Sequence, residues 1–348
     1  MISGQSLFSA AQIVALGTLF PLFPAHPFSV WSNAYNTGAL STSLQQWRTL
    51  GRYYLYTDRK SSWQLNVFYI DIQDPASDTE LGKKTTATDT LLILHGFPTS
   101  SADFQGQVMD ALQQKFRRVI TFDYPGFGFS DKPRGLTPTP YSVFTYADVA
   151  ESLLEYLDVA AVHVLAHDIG DTVAQELMAR HISRQAEGGL TGGAEGLDLL
   201  SVAFLNGGLI PGLHKPSLQM RILHNKWVGP WMGPLMTESR LSAALAKTFG
   251  PHTQPTQGFV EDSYAALTFN SGHMIMHEKI QYMTERVDNK ERWVGAIQNS
   301  EVPRILINGP SDPISGAHAA EGYKETVPDA KVVLLAGQPG HYPQVEFA

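Results

Sequence analysis

Four short stretches hold residues whose types and spacing could do chemistry together. His95-Gly96-Phe97-Pro98 follows the apolar run Leu91–Leu94, and Ala166-His167-Asp168-Ile169-Gly170 follows Val162–Leu165. Asn308-Gly309-Pro310-Ser311-Asp312 follows Arg304–Ile307, and Gly337-Gln338-Pro339-Gly340-His341 follows Lys331–Leu335. The second has the form of a sharp strand-to-helix turn that throws its middle residue out above a sheet, with small residues at 166 and 170 letting the turn close. The middle residue is Asp168, not serine. A carboxyl with an ordinary pKa of about 3.9 is already ionised at neutral pH and needs no base to free it. It can attack a saturated carbon directly, expel an alkoxide or a halide, and be left as an ester. His341 would then activate water against the ester carbonyl, with Asp312 orienting the imidazole and stabilising the imidazolium. The backbone N–H groups of Phe97 and Ile169 would form the oxyanion hole.

Each of these residues also has a plainer reading. An aspartate after a strand commonly caps the next helix; inside this turn the nucleophile reading is preferred for Asp168, and Asp171 is the expected cap or first-turn acid. Asp312 precedes Pro313 and could be a turn residue. Asn206 follows the strand ending at Leu205, so an alternative position for the acid is vacant. His95 and His167 read as structural hydrogen-bonders. The other histidines lack metal-ligand spacing such as H-E-x-x-H, and no metal or cofactor is expected.

The elements that must position these groups follow from the hydrophobic pattern. Tyr53 to Tyr56 and Leu65 to Ile72 read as an opening pair of strands. Leu91–Leu94, Arg118–Asp123, Val162–Leu165, Leu199–Leu205, Arg304–Ile307 and Lys331–Leu335 read as further strands, mostly buried and parallel. Tyr146 to Leu157 is expected as a helix with Ala150, Leu153, Leu154 and Leu157 on one face, and Asp171 to Ile182 as another. Ser183 to Asp198, rich in glycine and small residues, reads as a surface loop. This alternation predicts an α/β fold: a mostly parallel central sheet with helices on both faces. From Leu209 to Ser300 the alternation stops. The chain there has helical periodicity and no strand signal, and reads as a helical lid (209–300) inserted into a core formed by 47–208 and 301–348. Its Trp and Met residues read as core, and Tyr264 and Tyr282 as candidates to touch substrate, since pockets under lids are lined with aromatics. No internal repeats are found. The order nucleophile, acid, base (Asp168, Asp312, His341) is that of α/β-hydrolases.

Bulk composition narrows the partners. The chain has 348 residues, 43% hydrophobic and 17% charged, with a net charge of −8. With no basic run to track a phosphate backbone, nucleic acid is excluded as an expected partner. There is no cysteine, so disulfides, thiol nucleophiles and Cys-ligated zinc are absent. No Asn-x-Ser/Thr sequon points to a glycosylated surface. The N-terminus carries no Asp, Glu, Lys or Arg before Arg48, and Leu7 to Phe23 is largely apolar, broken by Gln12 and Pro21. A spanning helix wants about 20 apolar residues, and a signal peptide wants a positive start that is missing. Residues 1–46 therefore read either as a hydrophobic arm packed on the domain or as a membrane anchor or interfacial helix.

The chain resembles the epoxide-hydrolase and haloalkane-dehalogenase branch of the α/β-hydrolases. The resemblance lies in His95–Ser101 (HGFPTSS), Gly126–Arg134 (GFGFSDKPR), His167–Leu177 (HDIGDTVAQEL), Asn206–Pro216 (NGGLIPGLHKP), Arg292–Ala296 (RWVGA) and His341–Gln344 (HYPQ). It spans most of the chain from Trp47 onward. It implies a hydrolase with a hydrophobic N-terminus and an endoplasmic-reticulum membrane location, with the cytoplasm as the alternative. Members of the fold usually end in a helix that steadies the histidine loop; here Ala348 follows soon after His341, so a truncated chain or weaker support for His341 is expected. Dehalogenases of this type carry Trp after the nucleophile and often Asn or Trp after His-Gly, as donors to the halide. Ile169 and Phe97 donate nothing from their side chains, which favours an epoxide, protonated from a lid tyrosine, as a small apolar substrate consumed with water. The alternatives are a haloalkane dehalogenase or another α/β-hydrolase activity, or a membrane-associated protein that binds without turnover.

Overall fold

The computed structural model describes residues 40–73, 89–188 and 196–347. The apolar stretch Leu7–Phe23 lies outside the described residues. Eight strands form one sheet: β1 (Arg52–Thr57), β2 (Gln64–Gln73), β3 (Thr90–Leu94), β4 (Arg118–Phe122), β5 (Ala161–His167), β6 (Asp198–Leu205), β7 (Arg304–Asn308) and β8 (Val332–Leu334). Their spatial order is β1-β2-β4-β3-β5-β6-β7-β8. The first two strands are antiparallel to each other, and β2 is antiparallel to β4; from β4 onward the pairs are parallel. A hairpin needs only a short turn, whereas each parallel pair needs a crossover. Helices supply most of those crossovers.

The strands in the middle of the sheet are covered on both faces, so their sequences run apolar without alternation. All five residues of β3 are buried. Helix Val143–Tyr156 starts at a Ser142 N-cap and buries Ala150, Leu153 and Leu154. Helix Ile169–Ala186 is longer at both ends than its apolar spacing predicts. The expected loop from Ser183 is corrected accordingly: Ser183–Ala186 continue the helix, with the Ser183 hydroxyl bonded to the Ala179 carbonyl. Residues 189–195 of that predicted loop lie outside the described residues.

Between β6 and β7 the described chain is helical. It contains the helices Leu218–His224, Glu238–Ala246, Gln257–Thr268, Met276–Lys279, Tyr282–Asp288 and Lys290–Asn299, with 3-10 turns between. Leu241, Leu245, Val260, Ile280, Tyr282 and Trp293 of this insert share one buried cluster with Val164, Ile169 and Val173 of the sheet layer. The reading of the insert's tryptophans as core holds for Trp293 and fails for Trp227 and Trp231, which are exposed. Among the described residues no helix is long and apolar enough to cross a membrane.

Strand register brings the four suggestive strand ends together. Leu94 pairs with Ala166, His167 with Leu205, Leu205 with Ile307, and Asn308 with Leu334. The residues just beyond these pairs therefore gather at the carboxyl edge of a parallel sheet, where open α/β sheets place their ligands.

Candidate active site

The turn after β5 has the backbone its sequence calls for. Asp168 has φ 53° and ψ −106°, a left-handed conformation that costs a side-chain-bearing residue about 1–3 kcal/mol. Gly170 lets the turn sit on its neighbour strand, because a Cβ there would lie 2.3 Å from the Leu94 carbonyl oxygen. Asp168 occupies the N-cap position of its helix, yet its side chain makes no capping bond. Its Oδ1 instead accepts from the Phe97 N–H at 3.2 Å, and its Oδ2 lies 3.5 Å from His341 Nε2. Asp171, expected as a cap, is a fully buried first-turn residue whose Oδ1 accepts from the Leu205 N–H.

On its other side His341 donates from Nδ1 to Asp312 Oδ2 at 2.7 Å. Asp312 is no mere turn residue: Oδ1 accepts from the Ile314 N–H, and Oδ2 accepts from the Ser315 hydroxyl and the Asn206 amide. Asn206 also bonds both backbone groups of Gly309. The position read as vacant thus serves as a clamp on the acid's loop. The two histidines read as structural behave so. His167 donates from Nε2 to the His341 carbonyl, and His95 Nε2 accepts from the Tyr124 N–H.

Support for the His341 loop comes from Glu346, which the sequence did not single out. Its carboxylate accepts from the N–H groups of Gly340, Tyr342 and Gly250, bracketing His341 on both sides. A second unforeseen residue is Arg286 on helix Tyr282–Asp288. It is buried and donates from Nη2 to the Asp168 carbonyl at 2.9 Å and from Nε to Thr172 Oγ1 at 2.7 Å.

The two tyrosine candidates differ. Tyr282 is fully buried, its ring centroid 6.0 Å from that of Phe97, with the Arg286 guanidinium 4.6 Å from its own centroid. Tyr264 is half-buried and packs at the edge of the main core. Phe97 itself packs against Phe127 and Tyr282, and Ile169 is buried; the Ile169 N–H opens the helix and is free of the helical ladder, as the first N–H of any helix is.

Electrostatics bind these groups into one unit. Burial penalises the Asp168 charge, but the hydrogen bond and charge of His341, with Arg286 behind, hold its carboxyl well below the usual range. Burial likewise opposes the His341 imidazolium, yet Asp312 and Asp168 outweigh it and push the ring up to about 10. Because this lies above the ordinary value of 6.5, the stability His341 contributes is complete below pH 6.5 and is lost as pH climbs through about 10. Neutralising one flanking carboxylate must lower the ring's pKa. Asp168→Asn is therefore expected to move the His341 titration downward in an NMR pH series; an unchanged titration would show the pair to be uncoupled. Burial and the Asp168 charge both push the Tyr282 hydroxyl above its usual range, so it stays protonated beside the ionised carboxylate.

Residues 89–188 match the family model described as the α/β-hydrolase fold, and the chain belongs to the α/β-hydrolases. It is 36% identical over 311 residues to mesoderm-specific transcript protein of Mus musculus, covering 88% of this chain and 85% of that one. A protein of Mycobacterium tuberculosis named as a hydrolase, LipZ, is 33% identical over 261 residues, covering 74% of this chain and 84% of that one. Among solved structures, a haloalkane dehalogenase from Bradyrhizobium elkani superposes with a TM-score of 0.60 at 20% identity, covering 84% of this chain and 92% of that chain. At that identity the likeness speaks for the fold.

Proposed function

We propose that the chain is a hydrolase working through an aspartyl ester on Asp168, and that it takes small apolar epoxides. The observation that carries this is the setting of one carboxylate, held between the Phe97 N–H and the His341 imidazole while leaving its own helix uncapped. In this reading residues 209–300 are a lid over a core of 47–208 and 301–348. Asp168 attacks the epoxide carbon, the carbon–oxygen bond breaks, and Tyr282 delivers its proton to the departing oxygen. Ester formation removes the Asp168 charge, and with it one of the two carboxylates that keep His341 protonated, so the imidazolium gives up its proton and the Tyr282 phenolate regains one. Neutral His341 then takes a proton from water, and the hydroxide attacks the ester carbonyl. The Phe97 and Ile169 N–H groups hold the oxyanion. Collapse expels the alkoxide, which takes the proton from His341 to give the diol, and the carboxyl proton left on Asp168 then passes to the imidazole, restoring carboxylate and imidazolium.

The rival is a dehalogenase, and the leaving group separates the two. A charge-assisted hydrogen bond is worth about 1.5–3 kcal/mol. The side chains of Phe97 and Ile169 supply none, which would cost halide loss roughly two to four orders of magnitude. In pre-steady-state alkylation with a matched epoxide and bromide, the epoxide is expected to react faster. Tyr282→Phe is expected to slow the epoxide step by roughly 10²–10⁴, with Tyr264→Phe the milder change. A faster bromide reaction indifferent to Tyr282→Phe would transfer the protein to the dehalogenases. Failure of every epoxide, haloalkane and ester to alkylate Asp168 would favour a binding protein.

A further inference from the structure

One part of the insert exposes apolar side chains by construction. Leu218, Trp227, Val228, Trp231 and Leu235 are all large, hydrophobic and exposed, with Trp227 at 87%, Leu218 at 72% and Trp231 at 67% relative accessibility. They fall within 18 residues. The two 3-10 turns there, Gly229–Trp231 and Gly233–Leu235, belong to a tandem tetrad, Gly-Pro-Trp-Met followed by Gly-Pro-Leu-Met.

Both units are built alike. The glycines face inward: a Cβ on Gly229 would lie 2.2 Å from the Leu223 carbonyl oxygen, and one on Gly233 2.8 Å from Met274 Cα. Met232 and Met236 are half-buried against the main core. The third residue of each unit, Trp231 or Leu235, is left facing solvent. The close packing of the glycines and the fixed φ of the two prolines hold the backbone that presents Trp231 and Leu235.

The charge around this tip differs from the rest of the molecule. No Asp or Glu occurs from 199 to 237, while Lys215, Arg221 and Lys226 do, all three exposed, in a chain of net charge −8. Arg240 follows, exposed; Glu238 is half-buried and bonded by Gln257. The neighbouring helix Met276–Lys279 adds a half-buried Glu278 beside a buried Lys279. Exposed tryptophans in a stretch whose charged residues from 199 to 237 are all basic match a membrane interface, where indoles sit at headgroup depth and Lys and Arg meet anionic headgroups.

We propose that this tip of the insert is a docking surface for a lipid bilayer carrying anionic headgroups. It is separate from the nucleophile reading, since it needs neither Asp168 nor turnover. It also differs from any contribution of residues 1–39, which carry neither these tryptophans nor a basic residue.

The test uses the full chain carrying Trp31→Phe, which removes the one tryptophan outside the described residues. Vesicles of brominated phosphatidylcholine, with or without phosphatidylserine, are the probe. With phosphatidylserine, Trp227 and Trp231 fluorescence is expected to be quenched, and Trp227→Phe with Trp231→Phe to abolish that quenching. Trp227→Ala with Trp231→Ala should lower vesicle partition by roughly ten- to hundredfold. Arg221→Glu with Lys226→Glu should lower it by roughly tenfold or more on anionic vesicles only. Asp168→Ala should bind like the parent. Unquenched tip tryptophans on protein that floats with the vesicles would overturn the proposal. So would full partition by the double alanine variant, or self-association of the parent that this variant abolishes, which would assign the tip to a second copy.

Discussion

Asp168→Ala is expected to lower turnover of any confirmed substrate by roughly four to six orders of magnitude, as loss of a covalent nucleophile does. No neighbouring group can replace it. Asp171 is buried on the helix beyond, with burial and the Asp168 charge pushing its carboxyl well above the usual range, and Asp312 is committed to Asn206, Ile314 and Ser315. Alanine tolerates φ 53° less well than aspartate, so some stability is lost with the chemistry. Asp168→Asn keeps the backbone preference and the Phe97 contact and should be equally inactive. Circular dichroism and thermal melting check the fold of both variants; wild-type rates from either would remove Asp168 from the nucleophile's role.

His341→Gln should divide the reaction in two. In the proposed reaction, alkylation of Asp168 uses the carboxylate and a proton donor, whereas release uses water activated by the imidazole. The variant is therefore expected to accumulate one covalent equivalent on Asp168, visible as a mass increase of the intact protein and mapped by peptide analysis. Release should slow by roughly 10²–10⁴, the usual worth of a positioned base. Loss of alkylation as well, in a folded protein, would mean that His341 acts before the ester exists.

Much of this site is legible in the chain because strand ends are local features. An apolar run stopped by His-Gly or by a turn residue marks both the strand and the place where it delivers a side chain. Asp168, Asp312 and His341 stand out that way, although only the register of β5, β6, β7 and β8 places them together. Arg286 could not be found so. Its partners are a backbone carbonyl 118 residues away and the Thr172 hydroxyl, and neither leaves a charge or motif in the sequence that points to Arg286. Asn206 was passed over because it is not an acid, though its amide is what an acid's loop needs. The end of helix Ile169–Ala186 was misplaced because its last residues are small and polar, like those of the loop that follows. Composition carries no direction, so it cannot tell the exposed Trp227 and Trp231 from the buried Trp293.

Asp168 and His341 are each 3% exposed. If a substrate reaches Asp168 only when the surrounding chain yields, entry is a step with its own rate. Where opening is slower than alkylation, saturating substrate reads out the opening rate, and KM ceases to be a dissociation constant. Turnover would then fall as solvent viscosity rises, whatever the electrophile. In the proposed reaction the same enclosure would keep bulk hydroxide from the ester and leave its lifetime to His341, so an adduct stranded by His341→Gln should outlast many hours in alkaline buffer.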